Sequence, residues 1–251
     1  MAAVLLTLSF APGAHSEVIA RGGLLLNFSG GISPDALPRR QLAPISVGLS
    51  GTVRTLSREG PPSVRRIEIA INRGGHLDAR GLPLCSRAAI QPSSTAQARA
   101  ICGSALVGEG SFDADVVFPE QSAFPSNGRV LAFNALVGGR PAILAHVYGG
   151  QPAATSRIIV FRIRRNAGTY GTVLTALVPE SLDQWGHLTH FSLDLHRSYT
   201  YRGRRRSYLS ASCPAPSGFP GATFPFARTA ITFADGRTLA STLTRNCRVR
   251  R

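Results

Sequence analysis

The chain has no lysine. All 28 of its basic residues are arginine, set against 13 acidic ones, for a formal charge of +15 over 251 residues. It has one Met and one Trp, and no run of about eighteen apolar residues, so no transmembrane helix is evident. Charged residues make up only 16 % of the chain and hydrophobic ones 43 %, which excludes wholesale disorder. No Cys-x-x-Cys pair occurs, so a zinc or dithiol redox motif has no support. Gly-x-Ser-x-Gly is absent too, which removes the nucleophile elbow. Phosphate loops and dinucleotide fingerprints are missing, Gly108-Glu-Gly110 being too short a match. There are no heptads and almost no helical periodicity.

What is present is Ala, Gly, Arg, Pro and Leu in excess. That bias follows more simply from a GC-rich genome than from selection for guanidinium chemistry, so nucleic acid is the less favoured partner. The charge itself is physical and attracts anionic surfaces and polymers. The length suits one large all-β domain, able to bury roughly 70 % of the surface its unfolded chain exposes. Residues 1–16 resemble the second half of a secretory leader: an apolar stretch, a Pro-Gly break and small residues before an expected cleavage after Ser16. Residues 17–251 then form a single β-rich domain, with a sub-boundary conceivable near residue 150, at Gly149-Gly-Gln-Pro152.

Short apolar segments alternate with Gly and Pro. Ile67, Ile69 and Ile71 fall at i, i+2 and i+4, as do Ile159, Phe161 and Ile163, and Phe191, Leu193 and Leu195: the period of half-buried strands. Residues 142–148 and 172–178 are more continuously apolar and read as central strands. Asp235-Gly236 lies between two β-prone runs, the strongest hairpin signal in the chain. Gly203 marks a second hairpin over residues 199–208. About ten to twelve strands of this kind predict a β-sandwich. One helix is expected, over Ser94–Ile101, with Gly103 beyond its end. Phe118-Pro119, Phe124-Pro125, Phe219-Pro220 and Phe224-Pro225 are expected at strand ends, because proline cannot donate to a ladder.

Cys85, Cys102, Cys213 and Cys247 are the four cysteines. An even number in an exported chain suggests disulfides, and four cysteines allow three connectivities. Pairing neighbours closes the shortest loops and is the expected arrangement: Cys85–Cys102, with the helix inside its loop, and Cys213–Cys247. Each bond stabilises by about 3 kcal/mol in the chain-entropy picture.

Several segments carry a resemblance: Leu82-Pro-Leu-Cys85, Ala100-Ile-Cys102, residues 105–110, Gly168-Thr-Tyr-Gly171, Tyr199-Thr-Tyr-Arg-Gly203, residues 208–216 and Phe233-Ala-Asp-Gly236. Together they resemble an uncharacterised family of exported proteins from GC-rich Gram-positive bacteria. The resemblance implies export and cysteine pairing. It implies no chemistry, and no functional residue carries over.

Three constellations are candidates for function. In the first, a strand through residues 188–196 puts His190, Asp194 and His196 on one face, as candidate metal ligands. No spacing there matches a zinc signature, and the expectation is a solvated polar face. The second is acidic: Asp113 and Asp115 alternate on one strand near Glu109 and Glu120. Paired carboxylates cleave glycosides only when opposed across a cleft about 5–10 Å wide, which adjacent strand positions do not provide. The third is the Tyr/Arg hairpin, where Tyr199, Tyr201 and Tyr208 offer rings and Arg202, Arg204, Arg205 and Arg206 offer bidentate anion donors.

These features lead to an exported, non-enzymatic β-sandwich without a cofactor, extracellular or at the cell envelope, either a structural or adhesive module or one that binds an anionic cell-wall polymer or lipid surface weakly. The alternative is a carbohydrate-active or other hydrolase whose site is assembled from separate strands. A third reading, a lipid or small-ligand carrier, requires an apolar cavity between the sheets.

Overall fold

The computed structural model describes residues 16–57, 60–118, 120–178 and 186–250. Residues 1–15 of the expected leader, Pro119 and Trp185 lie outside the described residues.

In chain order, β1 (Ser16–Arg21), β2 (Leu24–Ser33), β3 (Ala36–Leu37), β4 (Ala43–Pro44), β5 (Ser46–Thr55), β6 (Val64–Asn72) and β7 (Gly75–Leu77) precede a helical insert. The insert comprises α1 (Arg87–Ile90), α2 (Thr95–Cys102) and a 3-10 turn at Gly103–Ala105. There follow β8 (Leu106–Val116), β9 (Phe124–Val137), β10 (Arg140–Gly149), β11 (Thr155–Arg165), β12 (Tyr170–Leu177) and β13 (Gly186–Leu195). The chain ends with β14 (Ser198–Tyr201), β15 (Arg204–Ser207), β16 (Leu209–Ala211), β17 (Gly221–Phe233) and β18 (Thr238–Val249).

The all-β expectation holds, but the hydrogen-bonded strands do not divide into two comparable sheets. Thirteen form one continuous sheet in the order β1-β2-β5-β13-β8-β9-β10-β11-β12-β6-β17-β18-β3. Its neighbours run antiparallel, except for the short parallel pairing of β3 with β18. A two-stranded sheet (β14-β15) and a three-stranded one (β4-β16-β7) complete the fold. The Gly149–Pro152 stretch is a turn between β10 and β11, which pair with each other on either side of it.

Inward side chains explain the curl. Leu24, Leu26 and Phe28 of β2, Val47 and Leu49 of β5, and Ile231 and Phe233 of β17 alternate along their strands and share one buried cluster with Leu239 and Leu243 of β18. Strands from opposite ends of the sheet thus bury the same core, which requires the sheet to bend round. Glycine permits the tightest approach: a Cβ on Gly110 would lie 1.9 Å from the Ser192 carbonyl oxygen. At the seam, β18 packs against β1 and β2. Here side chains join the sheet ends: Glu17 pairs with Arg245 at 3.0 Å and accepts from the Thr244 amide at 3.3 Å, and Arg245 also donates to the Gly30 carbonyl.

Strands β9 and β10 are covered on both faces, which accounts for their continuous apolar text. Ala132 and Ile143 face the main core, and Leu131, Phe133, Ala135 and Leu144 face a second cluster beneath the helical insert. The insert holds two helices rather than one. α2 matches the expected helix, with Ser94 and Gln97 forming a reciprocal capping box. The extra helix α1 is a single turn capped by Ser86, too short to show a period. Gly103 does not stop α2 in a left-handed conformation: its φ is −57°, and the chain runs on into the 3-10 turn.

Both disulfides form as expected. Cys85–Cys102 closes the insert, and Cys213–Cys247 ties the segment after β16 to β18. The second loop is longer, 34 residues against 17, and contributes about 0.6 kcal/mol more in the chain-entropy picture.

His146 of β10 is fully buried under the insert. Its Nε2 lies 3.0 Å from the Ser93 carbonyl oxygen and 3.2 Å from the Ser93 and Ser156 hydroxyls, while Nδ1 has no partner. Burial lowers its pKa, because a second proton would sit on an unpartnered, desolvated nitrogen.

Two expectations follow. As pH falls below about 6.5, the unfolded chain takes up a proton at residue 146 before the folded one does, so His146 removes stability on the acid side. Urea midpoints measured between pH 7.5 and 5 should fall for the native sequence and stay flatter for His146→Gln. At the seam, the Arg245 side chain is only 10 % exposed. Arg245→Met should lower unfolding free energy by about 2 kcal/mol, read as a shifted urea midpoint at unchanged slope.

Candidate functional site

The Tyr/Arg segment forms the expected hairpin. β14 pairs with β15 from Ser198↔Ser207 to Tyr201↔Arg204, and Arg202 and Gly203 make the turn with φ of 50° and 71°. Two residues with positive φ are the mark of the tight turn that matches strand twist.

The hairpin is held down by the segment after β7. Asp78 accepts from Arg206 at 3.1 Å and from Arg80 at 3.0 and 2.9 Å, and the Tyr199 hydroxyl donates to the Asp78 carbonyl at 3.0 Å. The Arg80 hydrogen bonds hold the Asp78 carboxyl below the usual carboxylate range, against partial burial pushing the other way. The Tyr201 ring lies on Gly81, where a Cβ would come within 2.0 Å of it and φ is +77°. The guanidinium carbons of Arg202 and Arg206 sit 5.3 and 5.8 Å from the centre of the Tyr201 ring. Arg165 joins the cluster by donating to the Leu77 carbonyl at 2.9 Å.

This geometry sorts the sequence candidates. Tyr208 is 1 % exposed and belongs to the main core, so it offers no ring to a ligand; burial pushes its phenol pKa up. The reason is local: β15 ends at Ser207, and the chain turns inward toward β16. Tyr199, Tyr201 and Arg206 are anchors of the hairpin. Arg202, Arg204 and Arg205 are exposed at its tip. Asp78 and Gly81, which hold the hairpin in place, were missed from the sequence; the only local sign was Asp78-x-Arg80-Gly81.

The other candidates lie on the outer face of the long sheet. Strand register aligns Ser29, Ser50, Ser192 and Ser111 in one row across β2, β5, β13 and β8. The next row is Asn27, Thr52, His190, Asp113 and, on β9, Asn127. The serines bond in pairs, Ser29 to Ser50 at 2.8 Å and Ser111 to Ser192 at 2.9 Å. His190 Nδ1 meets the Thr52 hydroxyl at 3.2 Å. Thr52, His190 and Asp113 thus occupy nucleophile, base and orienter positions on three neighbouring strands, but no hydrogen bond links His190 to Asp113. Asp115 sits opposite His187 and Asp194 opposite Glu109.

His196 falls just beyond β13 rather than on the face of a strand through it, and lines a shallow groove with Glu109, Arg99 and Arg197. Glu109 is gripped by Arg99 through bonds of 2.7 and 2.6 Å, which lower its pKa and keep it ionised rather than poised to give a proton. Glu120 is exposed on a separate turn. Among the described residues, no three His, Cys, Asp or Glu side chains come together to hold a metal ion. No helix of the described residues is long and apolar enough to cross a membrane. No family model, curated protein or solved structure matches the chain.

Loss of Asp78 leaves Arg206 partly buried without its counter-charge. Asp78→Ala should cost about 1–2 kcal/mol and loosen the hairpin, so limited trypsin digestion should cut after Arg202 and Arg204 much faster than in the native protein.

Proposed function

We propose that the protein is a non-enzymatic, exported module that binds anionic polymer or lipid headgroups at the cell envelope through the tip of the β14–β15 hairpin. The observation that carries this reading is the tip itself: Arg202, Arg204 and Arg205 are exposed and, among the described residues, paired with no carboxylate, on a hairpin that Asp78 and Gly81 hold in place. Preorganised guanidiniums lose little entropy on meeting phosphate or carboxylate groups. Elsewhere some arginines are fixed by carboxylates: Glu17, Asp35, Glu68, Asp78, Glu109 and Asp235 each contact an arginine.

Export is part of the proposal. Two disulfides suit an oxidising compartment, and the resemblance to an exported family points the same way. The sandwich is part of the proposal too, with opposite walls of the curled sheet as its two layers over one core. The outer walls carry Arg66, Arg162, Arg164 and Arg228, the reverse of the apolar belt of a membrane barrel. The hydrolase reading has less support, because the Thr52–His190 contact stops short of Asp113 on an open sheet face.

The test compares two triple variants of equal net charge. Arg202, Arg204 and Arg205 are changed to Ala in one, and Arg162, Arg164 and Arg228 in the other. Salt-dependent elution from immobilised anionic polysaccharide, and sedimentation with phosphatidylglycerol vesicles, are measured for both. The hairpin variant should elute at clearly lower salt than the wall variant, and the arm that shows the larger gap identifies the partner as polymer or lipid. Equal elution and equal sedimentation of the two variants would reject the hairpin as the binding element.

A further inference from the structure

The interior of the curled sheet contains a cavity of about 80 Å³. Its walls come from β5, β6, β9, β10, β11, β12, β13 and β17, so it lies between opposite sides of the enclosure. The side chains that leave the space open are small. Ala132 and Ala145 are cross-strand partners on β9 and β10, and Ala227 of β17 lines the same space. All three are buried at positions where inward residues nearby are Ile143, Phe161 and Leu174.

One end is different. There Gly74, His76, Ser210 and Ser212 belong to, or adjoin, the small β4-β16-β7 sheet. This sheet is short, two or three residues per strand, and its ladders run one bond further at this end, Ile45 N to the Leu209 carbonyl and Ser212 N to the Gly74 carbonyl. Asn72, also at this end, has its amide engaged: it donates to the Pro225 carbonyl at 2.8 Å and accepts from Gly74 N at 2.9 Å.

We infer that the cavity is a binding site for a compact, uncharged, apolar small molecule that enters beside the small sheet. Water needs two to four polar partners to occupy a buried site, and the Ala132–Ala145 end supplies none. A charged ligand would lose its hydration without gaining a counter-ion, because no Arg, Asp or Glu among the described residues lines the space. A dry apolar cavity of roughly 150 Å³ accepts benzene or xenon, and this one, at about half that volume, suits xenon as it stands and benzene after a small outward shift of the walls. The site is remote in kind from the arginine hairpin: it selects on shape and lack of charge.

The test uses xenon and benzene as probes on the full chain. Xenon-pressurised crystals should show one interior site between Ala145 and Ala227. Saturating benzene should raise the melting temperature by about 2–5 °C. Ala145→Leu should fill the space, raise the melting temperature unaided, and abolish the benzene shift. Ala132→Val serves as a second filling variant should the leucine fail to fold. Ordered water throughout the cavity, absence of interior xenon, or an undiminished benzene shift in a folded filling variant would each overturn the inference. Because none of these readouts involves Arg202, Arg204 or Arg205, the result is independent of the hairpin's fate.

Discussion

The inward rows of apolar side chains on β2, β5, β13, β8 and onward to β18 can share one core only if the sheet bends until its first strands meet its last. That closure governs the rest of the molecule. It disposes of the open edges that make long antiparallel sheets prone to association. It also puts the contact between sheet ends on side chains instead of a backbone ladder: Glu17, Arg245 and the Gly30 carbonyl do at the seam what paired amides do elsewhere. The Cys213–Cys247 bond lies at the end of the same strand, β18, so a covalent link and an ion pair secure the element that closes the sheet.

Closure also decides how charge is distributed. An enclosure whose inner face is apolar leaves its outer face, its loops and its inserts for the arginines. The few carboxylates are placed where an arginine must be fixed in position: Asp78 for Arg206, Glu109 for Arg99, Asp235 for Arg237, Asp35 for Arg248. In each pair the carboxyl pKa is lowered, so the contacts persist at neutral pH and weaken as acid protonates the carboxylates. Exposed pairs of this kind stabilise by little individually. Their larger effect is geometric, since they direct some guanidiniums inward to the protein and leave others, such as those at the hairpin tip, directed outward.

Local pattern in the sequence carried a good part of this. Alternation at Ile67, Ile69 and Ile71 located β6, the continuous run over 142–148 located a strand covered on both faces, and the start signal at Ser94 located α2. The Asp-Gly and Gly203 turns both formed. What local pattern could not supply was register. Ser111, Ser192, Ser50 and Ser29 are far apart in the chain and meet only because β8, β13, β5 and β2 are neighbours in the sheet. The same limit hid the role of Tyr208. By composition it belongs with Tyr199 and Tyr201, yet it follows the last residue of β15, where the chain dives beneath the small sheet. Anchoring by Asp78 was equally non-local, 128 residues from its partner Arg206.

The interior void is best judged by what filling it would require. Cavities destabilise by about 24 cal/mol per Å³, so 80 Å³ costs the fold about 2 kcal/mol. Ala132→Val adds two methyl groups and Ala145→Leu an isopropyl group, and either would recover part of that. The opposite wall is likewise trimmed at Ala227, so the space is framed by small residues from two sides instead of arising at one poorly packed position. Packing defects in a closed sheet ought to collect where strands splay, near bulges and ends. This one follows that rule on two sides: the β8–β9 register shifts between Leu106 and Gly108, the partner of Ala132, and the β17–β18 register shifts between Pro225 and Ala227, while Ala145 completes the frame from the unbroken β9–β10 pairing.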